Sequence, residues 1–173
     1  MNKGLIIIMI LCCILAFATS SCEKDDLCPT DIAATPRLIL VFKNQTNPLL
    51  AKTVNSLQIR EVGATTFAPL DATGSTTLTA VDSVAIPLKF DNAGTMYELI
   101  RTDDAGVVNT DIISFSYDLG EEYVNRACGF KAIYNNLTAI VTFEQPLERW
   151  IQTAIVLQAN VTSNNAAHVE IRH

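Results

Sequence analysis

From Arg37 onward, apolar residues recur at every second position in short runs, and turn-forming residues separate the runs. That period belongs to strands with one face in a core. Leu38, Leu40 and Phe42 share one face of the first run and Ile39 and Val41 the other, which predicts a central strand. Residues 44–48 read as a turn. Leu57 and Ile59 then alternate with Gln58 and Arg60. Val84, Ile86, Leu88 and Phe90 alternate with Ser83, Ala85, Pro87 and Lys89. Pro87 has no N–H to give to a ladder, so this strand is expected at an edge or with a bulge. Residues 91–94 (DNAG) carry turn chemistry, and 95–101 are expected to return as the hairpin partner. A second turn at 103–106 (DDAG) precedes a strand marked by Ile113, Phe115 and Tyr117. Asn135-Asn136 tolerates positive φ and predicts a hairpin between 130–134 and 137–143. The run 151–161 places Ile151, Ile155, Leu157 and Val161 inward, and 168–172 has Val169 and Ile171 on one side. Residues 63–80 are the least patterned and read as a loop. No long amphipathic helix and no internal repeat is visible. The expectation is an all-β fold: an antiparallel β-sandwich of Ig-like type with about eight strands, a small up-and-down β-barrel being the alternative.

The first residues follow a different pattern. Lys3 precedes an uninterrupted apolar stretch over residues 5–18, followed by the small residues Thr19, Ser20 and Ser21 and then Cys22. A membrane-spanning helix needs roughly 20 apolar residues, and this stretch is shorter, which favours a cleaved secretory signal. Thr19-Ser20-Ser21-Cys22 resembles the lipobox of bacterial lipoproteins, with Thr in place of the usual Leu, as in the relaxed lipoboxes of Bacteroidota. The resemblance implies that Cys22 is lipidated and becomes the mature N-terminus, held to a membrane by several acyl chains at about 0.8 kcal/mol per buried methylene. Glu23-Lys24-Asp25-Asp26 is similar to the lipoprotein export signal of the same phylum, in which Lys24, Asp25 and Asp26 direct the protein to the cell surface. The competing reading is the charged start of a solvated linker. The organisation expected is thus a signal peptide over 1–21, a lipidated tether over 22–36 and a β-sandwich domain over 37–173.

Charge and cysteine content narrow the function. The chain has a formal net charge of −6, one unit more negative without Lys3, and no cluster of Lys and Arg. This opposes binding to nucleic acid or to an anionic membrane surface. Of five cysteines, Cys12 and Cys13 fall in the discarded segment and Cys22 is acylated. Cys28 and Cys128 remain as one pair in an oxidising compartment, which predicts a disulfide, two unpaired buried thiols being the alternative. Two isolated cysteines without a nearby His pair cannot complete a tetrahedral metal shell. Neither GxSxG nor HExxH occurs, and the two histidines are His168 and His173. Glu121-Glu122 and Asp103-Asp104 sit beside turn-like residues and read as solvated ends rather than catalytic pairs. No phosphate loop or EF-hand loop is present. No enzyme activity, metal or cofactor is therefore expected. Trp150, with Arg149 and Tyr134, is a candidate surface for stacking on a sugar ring; the alternative is that Trp150 caps one end of the core. Asp82-Ser83-Val84 resembles the O-glycosylation motif of Bacteroidota, which makes Ser83 a candidate glycan site.

Four segments, Cys22 to Pro29, Thr35 to Ile39, Arg126 to Phe130 and Ala167 to Ile171, together resemble an uncharacterised lipoprotein family of flavobacteria and their relatives, known only as a domain of unknown function. The resemblance spans nearly the whole mature chain. It implies a disulfide between Cys28 and Cys128 and supplies no activity. Two function classes follow. One is a non-enzymatic outer-membrane lipoprotein acting by protein contact, as an accessory to a barrel or another surface protein. The other is a carbohydrate- or peptide-binding module of a nutrient-uptake system.

Overall fold

The computed structural model describes residues 28–29, 34–142 and 149–173. The apolar leader, Cys22 and the motif of Lys24, Asp25 and Asp26 lie outside the described residues, as does Phe143. Every regular element among the described residues is a strand: β1 (Leu38–Lys43), β2 (Val54–Glu61), β3 (Leu78–Val81), β4 (Ser83–Ile86), β5 (Gly94–Thr102), β6 (Val108–Asn125), β7 (Gly129–Thr142), β8 (Thr153–Val156) and β9 (Val169–Arg172). They form a four-stranded sheet of order β4-β1-β9-β8 and a five-stranded sheet of order β3-β2-β5-β6-β7. The two sheets pack as the expected β-sandwich, the inward positions of each strand alternating with outward ones.

β1 is the central strand that its two-sided apolarity predicts. Leu38, Leu40 and Phe42 are fully buried in one core with Leu57 and Ile59 of β2, Leu99 of β5 and Ile113 and Phe115 of β6. The expectation of a purely antiparallel fold is corrected on one count: β1 runs antiparallel to β4 but parallel to β9, Leu40 opposite Val169 and Phe42 opposite Ile171. β4 is an edge strand and ends before Pro87, as the missing N–H requires. Residues 95–101 are not its hairpin partner, because β4 and β5 belong to different sheets. The turn at 91–94 carries the chain across the sandwich. The turn at 103–106 does close a hairpin, with Asp103 Oδ1 accepting the N–H of Ala105 and of Val107, each at 2.9 Å.

Three tyrosines of the larger sheet close the crossing behind β4. Tyr97 donates to the carbonyl of Pro87 at 2.6 Å, Tyr134 to that of Leu88 at 3.0 Å and Tyr117 to that of Lys89 at 2.9 Å. A stretch of backbone outside any ladder thus has three successive carbonyls satisfied by side chains, as buried polar backbone requires. Burial raises all three phenols, that of Tyr134 to about 12, so the hydroxyls remain donors.

The predicted hairpin turn at Asn135-Asn136 is instead a bulge within β7. The register passes from Ser116 opposite Thr138 to Asp118 opposite Asn135, leaving an extra residue on β7. Asn136 takes φ 53° there and donates its amide to Asp118 Oδ2 at 2.7 Å. The reversal itself lies at Arg126, Ala127 and Cys128, where Gly129 adopts φ 70°, a conformation in which a Cβ is strained. Beyond Ser116, β6 has lost β5 as a neighbour; β7 still bridges to Val161 at Tyr134, and the pairs from Gly120 opposite Ile133 to Asn125 opposite Gly129 form a two-stranded ribbon. The run at 151–161 is shorter than expected. β8 covers only Thr153–Val156, and Leu157 faces solvent while Ile151 and Val161 are buried.

Candidate functional site

At the hairpin tip, Cys128 is joined to Cys28, with a Cα–Cα distance of 5.0 Å across a sequence separation of 100 residues. Asn125 Oδ1 accepts the Cys128 N–H at 2.7 Å and holds the turn. The pairing expected from the cysteine count is the one found. The strand partners next to this tip are Tyr123 and Phe130, which stand on one face of the ribbon with ring centroids 5.4 Å apart in an edge-to-face arrangement. Both are exposed, at 57% and 65%. Further from the tip, Glu122 pairs with Lys131 at 3.0 Å and Glu121 is exposed.

Trp150, Tyr134 and Arg149 do not make a sugar-stacking surface. Trp150 is 3% exposed and Tyr134 is fully buried. Their rings also serve different neighbourhoods. Tyr134 lies edge-on to Tyr117 at 5.0 Å. Trp150 packs with Phe42 and His173, its indole N–H bound to the Leu99 carbonyl at 3.1 Å and the Arg101 guanidinium 5.5 Å from its ring. Trp150 thus caps one end of the core, which was the alternative for this residue. Arg149 is half-buried beside it.

The same end contains a polar residue that the sequence did not single out. Asp111, 8% exposed, sits on the inward side of β6 in register with Ile113 and Phe115. Its Oδ2 accepts the backbone N–H of Trp150 at 2.9 Å and of Ile151 at 2.6 Å. Burial raises its pKa, against the two hydrogen bonds and the nearby Arg101 and Arg149, which lower it. Its place on the core-facing register was the available signal.

Both histidines are structural. His168 Nδ1 accepts the Ile39 N–H at 3.0 Å while its backbone N–H donates to the Ile39 carbonyl at 2.9 Å, a two-bond lock onto β1. His173 stacks edge-on against Phe42 and Trp150. Burial holds both pKa values below 6.5. The folded state therefore binds fewer protons than the unfolded one below that pH, and stability falls as pH drops through 6.5 toward the lowered values. Asp111 acts with the opposite sign: its raised pKa favours the folded state at acid pH, and that contribution is lost as pH rises through the folded value. Urea midpoints between pH 7.5 and 5.5 are expected to fall. His168→Asn, whose Oδ1 can replace Nδ1 as acceptor, should flatten the decline by up to about 1.4 kcal/mol per pH unit. An unchanged slope would remove His168 as its source.

The other candidate residues stand apart. Ser83 is exposed at the start of edge strand β4, its hydroxyl 3.3 Å from Asp82 Oδ1. Asp103 caps its turn, and Asp104 accepts the Asn55 amide at 2.6 Å. Among the described residues no group of three His, Cys, Asp or Glu side chains converges as a metal site.

A family model described as a family of unknown function (DUF6452) matches residues 56–173. No curated protein and no solved structure matches the chain.

Proposed function

We propose that this chain, which belongs to DUF6452, a family of unknown function, is a lipid-anchored lipoprotein of the outer membrane of a Bacteroidota-type bacterium. Cys22 carries the lipid, and Lys24, Asp25 and Asp26 turn the body toward the cell surface. The domain acts without catalysis, by contact with a protein partner such as an outer-membrane barrel. The reading is carried by the order of features near the N-terminus: a positive charge, an apolar stretch too short to span a bilayer, small residues, and Cys22 followed at once by acids. The Cys28–Cys128 bond supports it, because disulfides persist in oxidising compartments outside the cytosol.

Cys22→Ala tests the anchor. The wild-type protein is expected in the membrane pellet and the detergent phase, with a mass above that of its polypeptide. The variant is expected in the aqueous phase almost entirely, since the acyl chains supply the membrane affinity. Retention of the variant in membranes would refute lipidation at Cys22. Replacing Lys24, Asp25 and Asp26 by Ala should abolish cleavage of the protein by protease added to whole cells. Stoichiometric recovery of a barrel protein from detergent-solubilised membranes would support the accessory role, and its absence would weigh against it.

A further inference from the structure

We infer that the exposed Tyr123–Phe130 pair at the tip of the β6–β7 ribbon is a wedge that enters the polar–apolar interface of the bilayer holding Cys22. The inference rests on the lipidation of Cys22 proposed above. Three observations carry it.

The first is covalent geometry. Cys28 follows Cys22 by six residues, a span of at most about 22 Å when fully extended. Cys28 is fixed to Cys128 in the turn of the ribbon. The tip is therefore tied within a distance smaller than the ~30 Å thickness of a bilayer's hydrocarbon core, whatever path the tether takes. Among the described residues, no other turn of the sandwich has such a leash.

The second is surface chemistry. Tyr123 and Phe130 are 57% and 65% exposed, directly opposite each other and beside the turn. Two large rings gathered at a ribbon end, with exposed Arg126 in the turn, match the residue types that settle at the level of lipid headgroups. Tyr supplies a polar tip and Phe an apolar body, while Arg reaches phosphate.

The third is the gradient along the ribbon. Moving away from the tip, the next pairs are Glu122 with Lys131, bound at 3.0 Å, and Glu121 with Ala132. An ion pair and an exposed carboxylate within two residues of the rings, about 7 Å along a strand, remain in water and limit the depth of entry. The net charge of the chain is negative, so the attraction is apolar and extends to zwitterionic lipid. A protein partner or a second copy on the same rings would be the competing occupant.

The test uses the full-length acylated protein in phosphatidylcholine vesicles, with Phe130→Trp as reporter and buried Trp150 as internal reference. Flotation and mass establish acylation first. In vesicles the emission of the introduced indole is expected to shift to the blue, to be quenched by lipid brominated in the upper acyl chain and to lose quenching by aqueous iodide. Additional Tyr123→Ser and Cys28→Ser/Cys128→Ser changes should each restore iodide quenching. An acylated, floating protein whose reporter indole stays open to iodide would overturn the wedge and leave the anchor intact. A bare polypeptide that fails to float would remove the anchor and the wedge together. Shielding seen only in native envelopes would assign the tip to a protein partner and overturn the wedge, as would shielding that grows with the density of copies in the vesicle.

Discussion

Replacing Asp111 by leucine should lower the unfolding free energy by about 3–5 kcal/mol, whereas Asp111→Asn should cost only about 1 kcal/mol. One oxygen, Oδ2, receives the N–H groups of both Trp150 and Ile151. These two bonds dock the segment leading into β8 against β6 of the opposite sheet, and Trp150 and Ile151 are both buried. Leucine matches the carboxylate in approximate size but leaves two backbone donors without an acceptor in a dry site, and each orphan costs about 1–3 kcal/mol. Asparagine retains a carbonyl oxygen that can accept both. Urea unfolding of the two variants at pH 7 separates the hydrogen bonds from the charge. Equal losses would show that the negative charge, through Arg101 and Arg149, is what matters.

Removing the disulfide should be at least as costly. A cross-link closing a loop of 100 residues constrains the unfolded chain by about 4–5 kcal/mol in the chain-entropy treatment. At roughly 2–4 °C per kcal/mol for a domain of this size, Cys28→Ser/Cys128→Ser should melt about 8–20 °C below the wild type under non-reducing conditions. Added reductant should bring the wild type to the same temperature. Coincident melting of the two proteins without reductant would show that the bond contributes nothing to the fold. Mass spectrometry without reduction should recover Cys28 and Cys128 on linked peptides.

The pattern of the chain is most informative where one face of a strand is dry. β1, the edge position of β4 and the hairpin around 103–106 follow from alternation, from the missing N–H of Pro87 and from Asp–Gly turn chemistry. Strand direction is not written in a period of two, so the parallel pairing of β1 with β9 is not legible in it. Turn residues announce a reversal but not which sheet the chain joins next, which is why β4 and β5 read as a hairpin and are not one. The tolerance of Asn for positive φ serves a bulge as well as a turn, and Asn136 uses it for a bulge. The outer part of β6, from Gly120 onward, leaves little trace in the sequence because a ribbon of two strands there has little apolar alternation to show. Its two rings, Tyr123 and Phe130, become a pair only through the register of β6 on β7. Trp150 is ambiguous in a sequence because the same large ring serves a core or a ligand; burial by Phe42, His173 and the Leu99 carbonyl settles it.

The position of β9 between β1 and β8 leaves the smaller sheet incomplete until the end of the chain is in place. Ile39 and His168, locked together in the finished fold, are 129 residues apart. In a chain threaded outward from its N-terminus before it folds, the earlier residue arrives well ahead of its mate. β2, β3, β5, β6 and β7 pair among themselves and can zip up in that interval. The edge of Leu38–Lys43 that β9 will occupy meanwhile has no ladder partner, and a chain halted before Val169 would present that row of unpaired N–H and C=O groups to any chaperone or aggregate within reach.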